Sequence, residues 1–546
     1  MTLREHSPVG APQSSGPDSL WWRDAVMYQV YPRSFADGDG DGVGDLPGLL
    51  ARLPYIASLG VDGLWVTPFQ PSPQVDQGYD VSDYCGVDPL FGTMQDFERV
   101  LDAAHASGLR VLMDVAPNHC SSEHPLFRAA VAAGPGSPER ALFHFEDGPD
   151  GDTPPNNWQG SFGDRSWTRA APGSETDQQW YLHTFSSAQP DWNWRNPLVG
   201  TFFEDVLRFW FDRGVDGLRV DVAHGLFKAV GLPDVDRPEA VVKGLRFNPH
   251  LTDQEDLHGV FRQWRRIADS YSPVRVLVGE VNLDPHRAAR FARPDEMHQT
   301  FAYPFVKVAW DAATWASTAE RLAAAHGEYG AAPTWSIENH DVVRAVTRYG
   351  GGERGVSRAR AGLLGILALP GGAYVYQGQE LGLPEVDVPL AARVDPMWTR
   401  GGVSRDGARV PLPWTVSTEK TYGFSSVSGE KPWLPTPEQW GAHSVEAQEE
   451  SEDSMLRLTI SALRLRRQLK ADGVLAVDDA GTWRVEDGSV LVCERGDQFL
   501  ILMAMGAEPV RLPRGKVVLT SAPLTAERLL PPDAAAWILR DLRPSA

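Results

Sequence analysis

Four short stretches end in side chains that could share one reaction: Asp114-Val115-Ala116-Pro117-Asn118-His119, Arg219-Val220-Asp221, Gly279-Glu280 and Asn339-His340-Asp341. Residues two apart on a strand share a face, so Arg219 lies beside Asp221 and its positive charge favours an ionised carboxylate there. Glu280 follows Val276, Leu277 and Val278, and apolar surroundings raise a carboxyl pKa. One ionised and one protonated carboxyl, with a third acid nearby, suit a reaction through a positively charged, sugar-like transition state. In that chemistry Asp221 is the nucleophile and Glu280 the general acid and base. Asp341 stabilises charge or grips sugar hydroxyls, with His119 and His340 as further hydroxyl partners.

Groups so far apart in sequence need a scaffold that brings strand ends together. Short β-rich runs recur at 26–31, 63–66, 110–115, 217–221, 274–279, 298–301, 334–337 and 373–376. Amphipathic helical patterns separate several of them, for example 94–106 and 202–213, and this alternation predicts parallel βα units. Eight such units predict an α/β fold of the (β/α)8 TIM-barrel type, with a doubly wound sheet as the alternative from pattern alone. All four chemical stretches fall at the C-terminal ends of these strands, where barrel enzymes place their catalytic groups.

The spacing also divides the chain. Residues 120–185, rich in Gly, Pro, Trp and Asn, are too long for a simple connection and predict an inserted domain after strand three. The barrel then comprises 21–119 and 186–470, with an irregular insertion at about 383–450. Strand-like runs at 482–485, 490–493, 499–503 and 517–520 predict a C-terminal antiparallel β-domain over 471–546. Residues 1–20 are polar and rich in Pro, Ser and Gly, the composition of a disordered lead-in rather than a signal peptide.

The net charge of −21 disfavours nucleic acid and anionic lipid as partners. The longest apolar run, 361–376, is interrupted by Pro370-Gly371-Gly372 and predicts a buried helix and strand, not a membrane span. Three cysteines without a C-x-x-C pair predict no disulfide framework, and a reducing compartment, the cytoplasm, is the simplest home. Gly350 to Gly355 satisfies G-x-G-x-x-G, but no strand precedes it. It predicts a flexible loop beside the site and no organic cofactor. Asp37-Gly38-Asp39-Gly40-Asp41-Gly42-Val43-Gly44-Asp45 offers alternating carboxylates to an oxygen-seeking cation, yet fails as an EF-hand because Gly48 occupies the twelfth position.

The ordered series Asp114 to His119, Gly217 to Asp221, Glu280 and Asn339-His340-Asp341 resembles the motifs of the α-amylase family, glycoside hydrolase family 13. Gln189-Pro190-Asp191-Trp192-Asn193 is similar to the variant found in its oligo-1,6-glucosidase and α-glucosidase subgroup. The resemblance implies a TIM barrel with an inserted domain after strand three and a C-terminal β-sandwich. It also implies retaining cleavage of a small α-glucoside through a glucosyl-Asp221 intermediate, with Glu280 as acid/base and Asp341 as third carboxylate. Tyr79 and Asp80 then close the first sugar subsite, Tyr79 stacking on the ring and Asp80 gripping a terminal hydroxyl. Arg409 holds that sugar from the other side, and His119 and Phe162 line the pocket. Such a dead end implies release of one glucose from a non-reducing end.

Val222, next to the nucleophile, resembles the residue of α-1,6-preferring members and leans the linkage that way. The Asp-rich loop resembles a structural Ca2+ or Mg2+ site with Asp37, Asp39, Asp41, Asp45 and the Val43 carbonyl as ligands. Two residues depart from the family pattern: Glu338, where relatives carry a small or neutral residue, and Gln379, where they carry an acid. Transglucosidase or sucrose isomerase activity would use the same residues. Non-catalytic transporter heavy chains share the fold, but they have lost carboxylates that this sequence keeps.

Overall fold

The computed structural model describes residues 17–236, 248–417, 421–425, 431–476, 479 and 481–540. Eight parallel strands form the central sheet: Val26–Val30, Gly63–Val66, Arg110–Val115, Gly217–Val220, Val276–Gly279, Gln299–Thr300, Thr334–Trp335 and Gly372–Tyr376. The first strand pairs with both the second and the eighth. A parallel bridge between Phe301 and Thr334 joins the sixth to the seventh, so the sheet closes as a TIM barrel. The eight expected strands are all present, the sixth and seventh as two-residue pieces.

Alternation along the strands sorts the barrel into layers. Met27, Trp65, Leu112, Val276, Val278, Phe301 and Tyr374 form one buried apolar cluster, the inward faces of six strands and their ends. Two residues on, towards the C-terminal ends, the inward positions turn polar: Gln29, Asp114 and Arg219. The opposite face of each strand, including Val30, Leu64, Val111, Val115, Leu218 and Leu277, packs on the surrounding helices. Gly217 is required by closeness alone, since a Cβ there would lie 2.4 Å from the Val276 carbonyl and 2.7 Å from Leu112.

Between the third and fourth barrel strands, Phe145–Asp147, Gln179–Leu182 and Trp167–Arg169 make a small antiparallel sheet in that order. The tail folds as a five-stranded antiparallel sheet, with a two-stranded ribbon of Val510–Arg511 and Leu529–Leu530. One face of the larger sheet, with Val492, Leu500, Leu502 and Ile538, packs against Val510 and Leu530 of the ribbon. From the other face Trp537 donates to the carbonyl of Leu364 on the helix Gly352–Ala368.

Two expectations need correction. Residues Pro17–Asp24 form a 3-10 helix, so the part of the lead-in from 17 onward is helical, while residues 1–16 lie outside the described residues. The glycine run at 350–355 is not a loop throughout, because Gly352 already begins the helix Gly352–Ala368. Gly355 faces the Val346 carbonyl, which a Cβ would meet at 2.1 Å. All three cysteines are unpaired, and among the described residues no helix is long and apolar enough to cross a membrane.

Candidate active site

Strand register explains how the central groups meet. Asp114 and Arg219 are direct partners across the third and fourth strands, and Arg219 and Val278 across the fourth and fifth. Partners in a parallel pair point to the same face, so the Arg219 guanidinium reaches sideways at the barrel mouth. It donates to Asp114 Oδ1 at 3.0 Å, to Asp221 Oδ1 at 2.7 Å and to Glu280 Oε2 at 2.8 Å. Trp65 and Tyr79 cover it, their ring centres 5.1 and 6.0 Å away.

The sequence expectation gave Arg219 to Asp221 alone, as the cation that keeps it ionised. Shared among three carboxylates, one guanidinium does less for each. Burial pushes the Asp221 carboxyl well up. Arg219 opposes that shift, while the charges of Glu280 and Asp114 add to it. Burial also pushes Asp114 up to about 6 against the pull of Arg219. Asp221 and Asp114 thus both hold a proton more readily than free carboxyls do, despite the cation between them.

Asp341 lies under the opposite influence. Burial alone would raise it, but the positive charges of Arg405 and Arg409 hold it well below the usual range. Burial lowers His340 to about 3, so the ring is neutral. The Gln29 amide donates to His340 Nδ1 at 2.7 Å, which leaves the ring proton on Nε2. That N–H faces the Tyr79 hydroxyl at 2.8 Å and Asp341 Oδ2 at 3.3 Å. The Tyr79 hydroxyl in turn donates to Asp114 Oδ2 at 3.0 Å, and its ring stacks on His340 with an interplanar angle of 3°.

The far end of the pocket corrects two expectations. Asp80 does not face the mouth. It is fully buried, and its oxygens accept from the Ser72 hydroxyl and the backbone N–H groups of Val75 and Asp76, so it braces its own loop. Asp76 stands there instead, because positive φ at Gln77 and Gly78 reverses the chain between it and Tyr79. Its partner is Arg405, which donates to Asp76 Oδ1 at 2.9 Å and Asp341 Oδ1 at 3.1 Å, and to both oxygens of Asp395. Arg409 is the deeper of the two arginines. It is fully buried, donating to Asp341 Oδ1 at 2.8 Å, to the His340 carbonyl and to Gln77.

Phe162 stands by the Arg405 guanidinium, 5.6 Å from its ring centre. The Gln189 amide lies within hydrogen-bond distance of Asp76 Oδ2 and of His119 Nε2, which joins His119 to the same wall. Asp76, Arg405 and Gln189 were thus missed. Asp76 and Asp80 flank one turn symmetrically in sequence, as Arg405 and Arg409 flank another, and only the backbone path decides which of each pair faces the sugar site.

The turn after Asp221 wraps around Glu280. Val222 adopts a left-handed backbone (φ 43°, ψ 42°), which is strained for a β-branched residue and directs its N–H to Glu280 Oε2 at 3.2 Å. Ala223 N–H donates to the Glu280 carbonyl, which also lies 3.3 Å from His224 Nδ1. The hydrogen bonds from Arg219 and Val222 to the Glu280 side chain thus both fall on Oε2.

Comparison with known proteins places the chain in a family. A profile of the α-amylase catalytic domain matches residues 29–472. The chain belongs to the α-amylase family. This family member is a glycoside hydrolase, 38% identical over 466 residues to a probable α-glucosidase of Rhizobium meliloti (strain 1021), spanning 81% of each chain. It is 33% identical over 485 residues to an oligo-1,6-glucosidase of Heyndrickxia coagulans, covering 82% of this chain and 85% of that one. The crystal structure of an α-glucosyl transfer enzyme, XgtA, superposes with a TM-score of 0.85 at 34% identity, over 95% of this chain and 99% of the other.

Two further features of this α-amylase-family structure lie away from the reacting carboxyls. Lys228, 1% exposed, sets its ammonium among oxygens of three segments: Asp191 Oδ2 at 2.8 Å, Asn118 Oδ1 at 2.9 Å and the Gly225 carbonyl at 2.6 Å. Gly225 admits this contact, since a Cβ would sit 2.8 Å from Asn118 Oδ1 and from Val222. In the Asp-rich loop, oxygens of Asp37, Asp39 and Asp45 lie within 4.8 Å of one another. Three converging hard anionic oxygens, two of them on buried residues, fit a Ca2+ or Mg2+ ion. Asp41 stands outside that group, its Oδ1 accepting from the Val43 N–H at 2.8 Å.

Proposed function

We propose that the protein is a retaining, exo-acting α-glucosidase that releases glucose from the non-reducing end of short α-glucosides. The observation that carries this reading is the bridge Asp76–Arg405–Asp341, which bars the far side of the site. A glucose seated against Asp221 and Asp341 has no room for a further sugar beyond that bridge, so cleavage follows the first residue of a chain.

In this mechanism Asp221 attacks the anomeric carbon while Glu280 gives its proton to the leaving oxygen, and a glucosyl ester on Asp221 remains. Water then loses a proton to Glu280 as it attacks the same carbon, which frees glucose with its configuration retained. The Asp221 and Glu280 carboxyls both accept from the one Arg219 guanidinium, at 2.7 and 2.8 Å, and this closeness supports retention, since inverting pairs stand about 6.5–9.5 Å apart to seat a water. Arg219 fixes both, and Asp341, kept anionic by two arginines, faces the developing positive charge.

Val222 leans the linkage preference towards α-1,6. If a sugar instead of water meets the glucosyl-enzyme, the same residues perform transfer, and the likeness to a glucosyl transfer enzyme favours this second reading. Incubation with maltose, isomaltose, sucrose, trehalose and maltotriose, with products separated by chromatography, decides between them. Hydrolysis is expected to give glucose and the remaining sugar of each cleaved substrate, fructose from sucrose and maltose from maltotriose, with isomaltose consumed faster than maltose. A product with a linkage absent from the substrate would establish transfer, and cleavage inside a longer chain would overturn the exo reading.

We also propose that Asp37, Asp39 and Asp45, with the Val43 carbonyl, hold a structural Ca2+ or Mg2+. The ion would neutralise three clustered carboxylates and so stabilise the fold without entering the chemistry. Calcium at 100 times its dissociation constant is expected to add about 2.7 kcal/mol of stability, read as a rise in Tm that EDTA reverses. An unchanged Tm with both cations would refute the site.

A further inference from the structure

Glu338 is a buried acid that the mechanism above does not use, with a side chain only 1% exposed. Its Oε1 accepts from the Ala345 N–H at 2.9 Å, and its Oε2 lies 3.4 Å from the Arg344 guanidinium. Arg344 is equally buried. It donates to the Gln377 carbonyl at 3.1 Å and the Ala408 carbonyl at 2.9 Å, with its guanidinium 4.8 Å from the Tyr376 ring centre. The Tyr376 hydroxyl donates to that same Ala408 carbonyl at 3.0 Å.

Ala408 ends the 3-10 turn Asp406–Ala408, which Arg405 and Arg409 flank. Both arginines converge on one oxygen of Asp341 and repel each other there, so their placement depends on what anchors the turn. A buried guanidinium that lost its counter-charge would seek another. One within reach is Glu385, whose Oε2 already accepts the Arg344 backbone N–H at 2.9 Å.

We infer that Glu338 is a positioning residue: it holds Arg344 on the Ala408 carbonyl and thereby sets Arg405 and Arg409 against the sugar pocket. The inference rests on the glucosidase reading of that pocket. With Glu338 gone, Arg344 turns towards Glu385, the turn loosens, and sugar binding weakens more than the bond-breaking step does.

Three proteins test this: wild type, Glu338→Gln, which keeps an acceptor for Ala345 but removes the charge, and Glu338→Ala. Kinetics on maltose and 4-nitrophenyl α-glucoside are measured beside glucose affinity by calorimetry and Tm. For Glu338→Ala, KM and the glucose Kd are expected to rise about tenfold with kcat within about threefold, the result of a small displacement of binding groups. Glu338→Gln should fall between the two, and it carries the test alone if Glu338→Ala does not fold. A lower Tm with unchanged KM and glucose affinity would reduce Glu338 to a structural ion pair and overturn the inference, as would a loss confined to kcat. Failure of the wild type to cleave either substrate would refute the glucosidase reading instead, and the glucose affinities would still decide the role of Glu338.

Discussion

Asp221→Asn is expected to fold with a Tm at or above that of the wild type and to lose turnover by at least about 10⁴-fold. The two effects share one cause. Asp221 is a buried carboxyl whose ionised form is penalised by burial and by Glu280 and Asp114, so a neutral isostere relieves the site. The amide can still accept from Arg219, but it cannot form the glucosyl ester. A circular-dichroism melt paired with an aryl α-glucoside assay separates the two. Near-normal turnover would remove Asp221 from the mechanism, and a collapsed Tm would make its role structural.

Glu280→Gln should fail differently. General acid–base groups contribute on the order of 10²–10⁴-fold, and the loss depends on how much help the leaving group needs. Cleavage of maltose should fall towards the upper end of that range. With 4-nitrophenyl α-glucoside, whose leaving group departs without a proton, the first step should survive and the second should limit. A pre-steady-state burst of nitrophenol ahead of slow turnover is therefore expected. Equal losses on both substrates, with no burst, would mean that Glu280 does not act as the acid and base in two steps.

Much of this site could be read from the sequence because barrel chemistry sits at strand ends, and strand ends announce themselves as apolar runs closing in Asp, Glu or His. Asp114, Asp221, Glu280 and His340 were legible in that way, and so was Asp341, one residue past His340. The pocket end was less so, because it is built from turns. Asp76 and Asp80 differ by the path of Gln77 and Gly78, whose positive φ no residue type declares in advance for Gln77. Arg405 and Arg409 differ by which side of a 3-10 turn each leaves. The electrostatics were half legible: the Arg219–Asp221 contact followed from spacing, but Arg219's sharing with Asp114 and Glu280 needed the register of three strands.

The ammonium of Lys228 gives the molecule a wiring distinct from its Asp-rich loop. Asn118 belongs to the segment that ends in His119, Gly225 to the turn that carries Val222, and Asp191 to the chain returning from the inserted sheet. One covalently tethered charge thus ties together three pieces of the sugar-binding wall. Dilution cannot dissociate it, a chelator cannot reach it, and a change in free calcium cannot loosen it. An ion in the loop at 37–45 would be borrowed from the surroundings, so the stability of the molecule would follow its medium while the geometry of the pocket would not.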